Sequence, residues 1–220
     1  MQALIISGGH LEDAFAVSYM EKYQFQFTIA VDSGMAFFYR KGLVPDYIVG
    51  DFDSVSPEIL HNFRAMRDSG QGKPKILQFQ PEKDETDTEL AIRTAIGQGC
   101  RTIHILGGTG TRMDHMLGNL HLLGMAMEQG VEAIMADKNN RIRMVQEGLV
   151  LRREEQYGRY VSLLPFTPQV TGLTLKGFKY PLNQYTLECY LSLGVSNEIA
   201  GDAGEISFQD GVLVVVESLD

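Results

Sequence analysis

The sequence predicts an α/β protein. A mostly parallel, doubly wound sheet with helices on both faces is expected over residues 1–138, and an all-β sandwich over 139–220. Two observations carry this. As far as Asp137, short apolar runs alternate with stretches of helical periodicity, and strands separated by helices build parallel sheets covered on both faces. After Asp137-Lys138-Asn139-Asn140 the helical pattern stops, and short β-type runs broken by Gly, Pro and Asn take over. A chain of 220 residues is long enough to bury one large core or two smaller ones.

In order, the apolar runs at 3–7, 27–31, 47–49, 76–79, 102–106 and 133–136 read as strands. Helical stretches fall between them, near 11–22, 34–41, 57–68, 86–98 and 113–129. In the last, Met113, Met116, Leu117, Leu120, Leu123, Gly124 and Met127 share one face and are expected to be core. Ser56 ahead of Pro57 reads as a helix N-cap with proline at the first helical position. Thr86 with Glu89 fits a capping box. Past residue 138 the strand candidates are 141–145, 149–152, 160–164, 173–175, 186–191 and 212–216.

Composition narrows the function classes. A hydrophobic fraction of 44% and a charged fraction of 21% are those of an ordinary globular protein. The net charge of −9 argues against nucleic acid as a partner and is compatible with a cationic ligand or a metal-bound nucleotide. No apolar run approaches the roughly 20 residues needed to span a bilayer, so no membrane partner is expected. The first residues lack the basic region of a signal peptide. Cys100 and Cys189 are far apart and are expected to be reduced thiols in a cytoplasmic protein.

In a doubly wound sheet, ligands bind outside the carboxyl ends of the strands. The notable residues gather there. Asp32-Ser33-Gly34 follows the second strand, and Gly50-Asp51-Phe52-Asp53-Ser54 the third. Glu82-Lys83-Asp84-Glu85-Thr86-Asp87 follows the fourth, and Gly107-Gly108-Thr109-Gly110-Thr111-Arg112-Met113-Asp114 the fifth. Asp51 and Asp53, two residues apart past a strand end, repel each other unless a cation lies between. With Asp84 or Asp87 they offer the hard oxygen ligands that suit Mg²⁺. The alternative for Asp84 and Asp87 is complementing the helix dipole. The glycines let backbone N–H groups approach a phosphate at a helix N-terminus, and Arg112 can add a bidentate contact. The loop is neither a Walker A sequence nor a GxGxxG fingerprint, and a plain strand-to-helix turn is the alternative. His115 is expected to be a packed or solvent-facing histidine.

Six stretches, in order along the chain, resemble the thiamine pyrophosphokinase family. They are Val31-Asp32-Ser33-Gly34; Pro45-Asp46 through Gly50-Asp51-Phe52-Asp53-Ser54; Lys83-Asp84-x-Thr86-Asp87-x-Glu89; Gly107-Gly108 through Arg112-x-Asp114-His115; Leu175-Lys176-Gly177-Phe178-Lys179-Tyr180-Pro181-Leu182; and Ser196-Asn197-Glu198. The resemblance implies a homodimer that moves the pyrophosphoryl group of ATP onto the hydroxyl of thiamine with Mg²⁺. It implies an N-terminal nucleotide-binding catalytic domain and a C-terminal thiamine-binding sandwich. By it, Asp51, Asp53, Asp84 and Asp87 are catalytic, with Asp51, Asp53 and Asp84 on the metal. Asp32, Ser33, Gly34, Gly107, Gly108, Thr109, Gly110, Arg112 and Asp114 face ATP. Lys83, Asp87, Ser196 and Asn197 face thiamine, the last two across the dimer interface. Thr111 stands where the family commonly has another glycine. The chain has no Trp, which some members stack on thiamine, leaving Phe208 or a tyrosine for that place. Two other readings stand beside this one. In a haloacid-dehalogenase-like phosphatase Asp51 is the nucleophile and Asp53 the acid, but that motif usually follows the first strand, not the third. A non-catalytic nucleotide or thiamine sensor needs fewer carboxylates.

Overall fold

The computed structural model describes every residue except Gln71, Pro81, Lys83 and Thr111. The chain divides into two compact units, Met1–Lys138 and Asn139–Asp220.

The first unit carries strands β1 (Gln2–Ile6), β2 (Phe27–Val31), β3 (Tyr47–Gly50), β4 (Lys75–Gln78), β5 (Thr102–Leu106) and β6 (Glu132–Ala136). Helices α1 (Asp13–Tyr23), α2 (Met35–Lys41), α3 (Pro57–Asp68), α4 (Asp87–Gly97) and α5 (Met113–Glu128) alternate with them. The strand order is β6-β5-β1-β2-β3-β4, and every neighbouring pair is parallel. The order therefore reverses between β1 and β5, the kind of switch point where α/β sheets open a crevice. Ala3, Leu4, Ile5 and Ile6 are all fully buried, which is why β1 reads as a continuous apolar run and not an alternating one. Helix α4 buries Thr88, Ala91, Ile92 and Ala95, a stripe at helical spacing, and packs on β1, β2 and β3. One half of the expected capping box is seen: the Thr86 hydroxyl accepts from the Glu89 N–H at 3.2 Å, while Glu89 Oε1 accepts from Arg93. Ser56 holds the N-cap position of α3 but makes no side-chain cap bond.

Helix α5 corrects the expected methionine core. Only Leu123 and Ala126 are buried, while Met113 is 64% and Leu117 48% exposed. The buried positions fall in the second half of α5, while Asp114, His115, Gly118, Asn119 and Leu122, on the face opposite Met113 and Leu117, border an open cleft.

The second unit contains β7 (Asn140–Val145), β8 (Leu149–Arg152), β9 (Tyr160–Pro165), β10 (Gln169–Lys176), β11 (Leu182–Glu188), β12 (Asn197–Glu198), β13 (Ala203–Ser207) and β14 (Leu213–Ser218). The orders β12-β9-β14-β7 and β11-β10-β13-β8 are antiparallel. One core cluster draws on both sets, with Val161, Leu163, Leu213 and Val215 from the first and Leu151, Val170, Leu173, Leu187 and Ile206 from the second. The strand expected at 186–191 lies instead at Leu182–Glu188, and β13 was not anticipated. In β13, Ala-Gly-Glu-Ile-Ser, only Gly204 and Ile206 are buried, too few apolar residues to signal a strand. Among the described residues no helix is long and apolar enough to cross a membrane.

Candidate active site

A cleft of about 670 Å³ opens in the first unit at the carboxyl ends of the strands. Five loops and α5 line it. The loop after β1 supplies Ser7, Gly8 and Gly9, that after β2 Asp32 and Ser33, and that after β3 Asp51 and Ser54. Glu85, Thr86, Asp87 and Thr88 lead into α4, and Gly107, Gly108 and Gly110 follow β5. The two glycine loops touch each other at the switch point. The Gly9 N–H donates to the Gly107 carbonyl at 3.0 Å, and a Cβ on Gly9 would lie 2.3 Å from that oxygen. Only glycine permits such an approach of two backbones.

Three carboxylates converge in the cleft. Asp32, Asp51 and Asp87 are half-buried, and each offers an oxygen within 4.8 Å of the others. They come from separate segments, brought together because β2 and β3 are neighbours and α4 packs on both. Local backbone adds to this. Asp32 and Phe52 both take the left-handed conformation, with φ of 44° and 68°, which is uncommon for non-glycine residues. Phe52 is buried, and its N–H points at Asp32 Oδ1, 3.4 Å away. The Asp53 N–H turns back onto Asp51 Oδ1 at 3.0 Å. Burial, then a hydrogen bond and the charge of Asp87, push the Asp32 carboxyl up to about 7.

The donor set tests well against Mg²⁺. All three offer hard oxygens, and burial together with the neighbouring Asp87 makes negative charge on Asp32 costly, a cost that a divalent cation there would offset. The set differs from the one expected. Asp51 belongs to it, but Asp53 and Asp84 are exposed, lie outside the group of three and do not line the cleft. Asp32 and Asp87 stand with Asp51 instead. A two-residue spacing on a turn sends Asp51 and Asp53 apart, because buried Phe52 fixes the turn between them.

The remaining expected residues divide. Ser33, Gly107, Gly108, Gly110, Arg112 and Asp114 line the cleft; Gly34 and Thr109 do not. Gly34 is buried against the Ile6 carbonyl, so its place in the sequence reflects backbone packing. Arg112 and Asp114 pair with each other through two contacts, Nη2 to Oδ2 at 2.5 Å and Nε to Oδ1 at 3.2 Å. The Arg112 hydrogen bonds hold the Asp114 carboxyl at about 2. Lys83 lies outside the described residues. In the second unit, Asn197 is buried and its amide is committed to backbone. Its Oδ1 accepts from the N–H groups of Tyr180 and Glu198 at 3.0 and 2.9 Å, and its Nδ2 donates to the Tyr180 carbonyl at 2.8 Å. Ser196 has φ 58°, and its N–H donates to Ser162 Oγ at 3.0 Å. Phe208 packs against the core of that unit, whereas Tyr180 is 59% exposed. Sequence reasoning missed the loop at 7–9 and the α5 residues Gly118 and Asn119. The glycine pair after the first strand was the available signal.

Comparison with known proteins agrees with this geometry. Residues 20–135 match the thiamin pyrophosphokinase catalytic domain, and residues 148–213 the thiamin pyrophosphokinase vitamin B1 binding domain. The thiamine pyrophosphokinase of Bacillus subtilis is 35% identical over 196 residues, covering 87% of each chain. A crystal structure of thiamine pyrophosphokinase from Bacillus subtilis superposes with a TM-score of 0.86 at 31% identity, over all of both chains. That of the Geobacillus thermodenitrificans protein gives 0.84 at 30% identity, over 100% of this chain and 98% of the other. The Candida albicans enzyme shares the fold at 19% identity, with a TM-score of 0.79 over 99% of this chain and 88% of its own. Neither the phosphatase nor the sensor reading is favoured by these matches. Two domain matches in order and a relative this similar over most of its length establish that the chain belongs to the thiamin pyrophosphokinase family.

Proposed function

We propose that the protein transfers the pyrophosphoryl group of ATP to the hydroxyl of thiamine, giving thiamine diphosphate and AMP. The observation that carries this is the convergence of Asp32, Asp51 and Asp87 with two glycine loops in one cleft of a chain matching both family domains. The hydroxyl oxygen of thiamine bonds to the β-phosphorus. The bond from that phosphorus to the α–β bridging oxygen breaks, AMP leaves with the bridging electrons, and the hydroxyl proton is released. Mg²⁺ bound by the carboxylates would neutralise charge on the triphosphate. The backbone N–H groups of the glycine loops and Arg112 are suited to grip phosphate oxygens, and the acidic wall suits a cationic acceptor. Such reactions depend chiefly on positioning and electrostatics, which groups gathered at the strand ends are suited to supply.

The finer architecture follows the same reading. Right-handed crossovers from β1 toward β4 on one side, and through β5 to β6 on the other, would place helices on opposite faces and make the sheet doubly wound. The shared core of the second unit supports a sandwich. Roles for Asp53, Asp84 and Lys83 near the metal or thiamine, and for Ser196 and Asn197 beside thiamine, rest on the family resemblance. So do a homodimeric state and a cytoplasmic location.

Phosphorus NMR of a mixture of protein, Mg²⁺, ATP and thiamine tests the reaction. One AMP and one thiamine diphosphate per ATP are expected. ADP with thiamine monophosphate would mean attack at the γ-phosphorus, and free phosphate without loss of thiamine would mean hydrolysis. Asp51→Asn should lower turnover roughly 10²–10³-fold with the fold intact. Light scattering at micromolar concentration should find a dimer, and an active monomer would rule out that part.

A further inference from the structure

Thr88 is an unusual first member of the buried stripe of α4. The other three, Ala91, Ile92 and Ala95, are apolar, yet Thr88 is 7% exposed and places a hydroxyl where a methyl group would pack equally well. That hydroxyl meets Ser7 Oγ at 2.9 Å, and Ser7, at the end of β1, is also 7% exposed. The bond joins residues 81 apart in sequence. It ties the first turn of α4 to the end of β1, the strand beside β2, which leads into Asp32. Asp87 is the residue immediately before Thr88 and the first of α4. The Thr86 cap holds this turn together from within, but it does not fix where the turn sits against the sheet. The hydroxyl pair adds a directional tie to the apolar packing of Ala91, Ile92 and Ala95.

We infer that the Ser7–Thr88 hydroxyl pair is a positioning device that sets Asp87 against Asp32 and Asp51, and so builds the metal-binding geometry of the cleft. The inference rests on the reading of those three carboxylates as a Mg²⁺ site. A hydrogen bond between two buried hydroxyls has a preferred length and direction, unlike an apolar contact, which tolerates sliding. Both residues line the cleft, so loss of one partner leaves the other hydroxyl to cleft water, and the first turn of α4 loses its polar tie to β1. Residues that orient a ligand without touching the metal typically matter 10–100-fold in metal affinity.

The test uses the full chain and Mn²⁺ alone, followed by electron paramagnetic resonance. Thr88→Val, equal in shape but without the hydroxyl, should weaken Mn²⁺ binding roughly 10-fold. Thr88→Ser should restore it. Ser7→Ala should weaken binding as Thr88→Val does, and the double variant should be no worse than either alone, since one interaction is lost in all three. Should Thr88→Val fail to fold, Ser7→Ala and Thr88→Ser decide the matter alone. A Thr88→Val or Ser7→Ala protein that binds Mn²⁺ as the parent does would overturn the inference while leaving the metal site standing. A parent that binds no Mn²⁺, or binds it undiminished after Asp51→Asn, would overturn the metal reading and this inference with it.

Discussion

Gly50→Ala is a one-methyl perturbation aimed at the carboxylate cluster from behind. Gly50 ends β3, and a Cβ there would lie 1.8 Å from Asp32 Oδ1 and 2.7 Å from its Cγ. Ordinary contact begins at 3.4 Å, so the carboxylate must retreat by about 1.6 Å, the difference between the two distances. The Asp32 side chain is short, and its backbone is already held at φ 44°, so it cannot absorb this by a change of rotamer alone. The carboxylate leaves its place beside Asp51 and Asp87. A misplacement of about 1 Å can cost about 10²-fold in rate. We therefore expect kcat/KM to fall roughly 10²-fold, equivalent to ~2.7 kcal/mol of barrier. The overpacking itself should cost about 1–3 kcal/mol of stability, which a domain of this size survives. The assay is the initial rate of AMP formation across a Mg²⁺ titration, with thermal unfolding measured alongside. Gly97→Ala is the control: nothing lies within 4 Å of its Cβ at the end of α4, and it should be as active as the parent. A folded Gly50→Ala protein within about threefold of parental kcat/KM, under ~0.7 kcal/mol of barrier, and with the same Mg²⁺ dependence would refute the placement of Asp32 in the reacting site.

Two further outcomes follow from the same structure. Glu217 is fully buried, takes both oxygens to Arg141 at 2.7 Å, and also accepts from Arg143 and the Tyr157 N–H at 3.1 Å. Glu217→Gln leaves buried guanidinium charge without its counterion and should cost about 3–5 kcal/mol in urea unfolding; a loss under ~1 kcal/mol would contradict this. The raised Asp32 carboxyl sets a pH dependence. Its folded value of about 7 lies above the ordinary 3.8, so the metal-free fold binds the extra proton between those values and loses stability as pH rises through them. Mg²⁺ bound at Asp32 would displace that proton, so the rise in Tm on adding Mg²⁺ should be larger at pH 8 than at pH 6, and an equal or reversed effect would show that Asp32 does not share a metal site.

The sequence by itself determined the strands of the first unit and the loops that carry chemistry. Parallel strands buried on all sides must be unbroken apolar runs, so β1, β2, β3 and β5 were legible within a residue or so, and the acids and glycines beyond their ends were legible with them. The Thr86 cap was legible because it is a local bond across three residues. What needed the tertiary structure was every relation across the sheet. Asp32, Asp51 and Asp87 meet because β3 lies beside β2 and α4 lies on both, and no spacing along the chain encodes that neighbourhood. Asp53 is exposed and outside the cluster because buried Phe52, in a left-handed turn, divides two acids that look equivalent on paper. The exposed half of α5 carries the same periodicity as its packed half, since periodicity records which residues share a face and not whether anything covers it. Asn197 is committed to Tyr180, 17 residues away, and the hydroxyls of Ser7 and Thr88 meet across 81. Short-range pattern reports hydrogen bonds within one turn or strand; those joining distant segments exist only once the hydrophobic core has set the order of the strands.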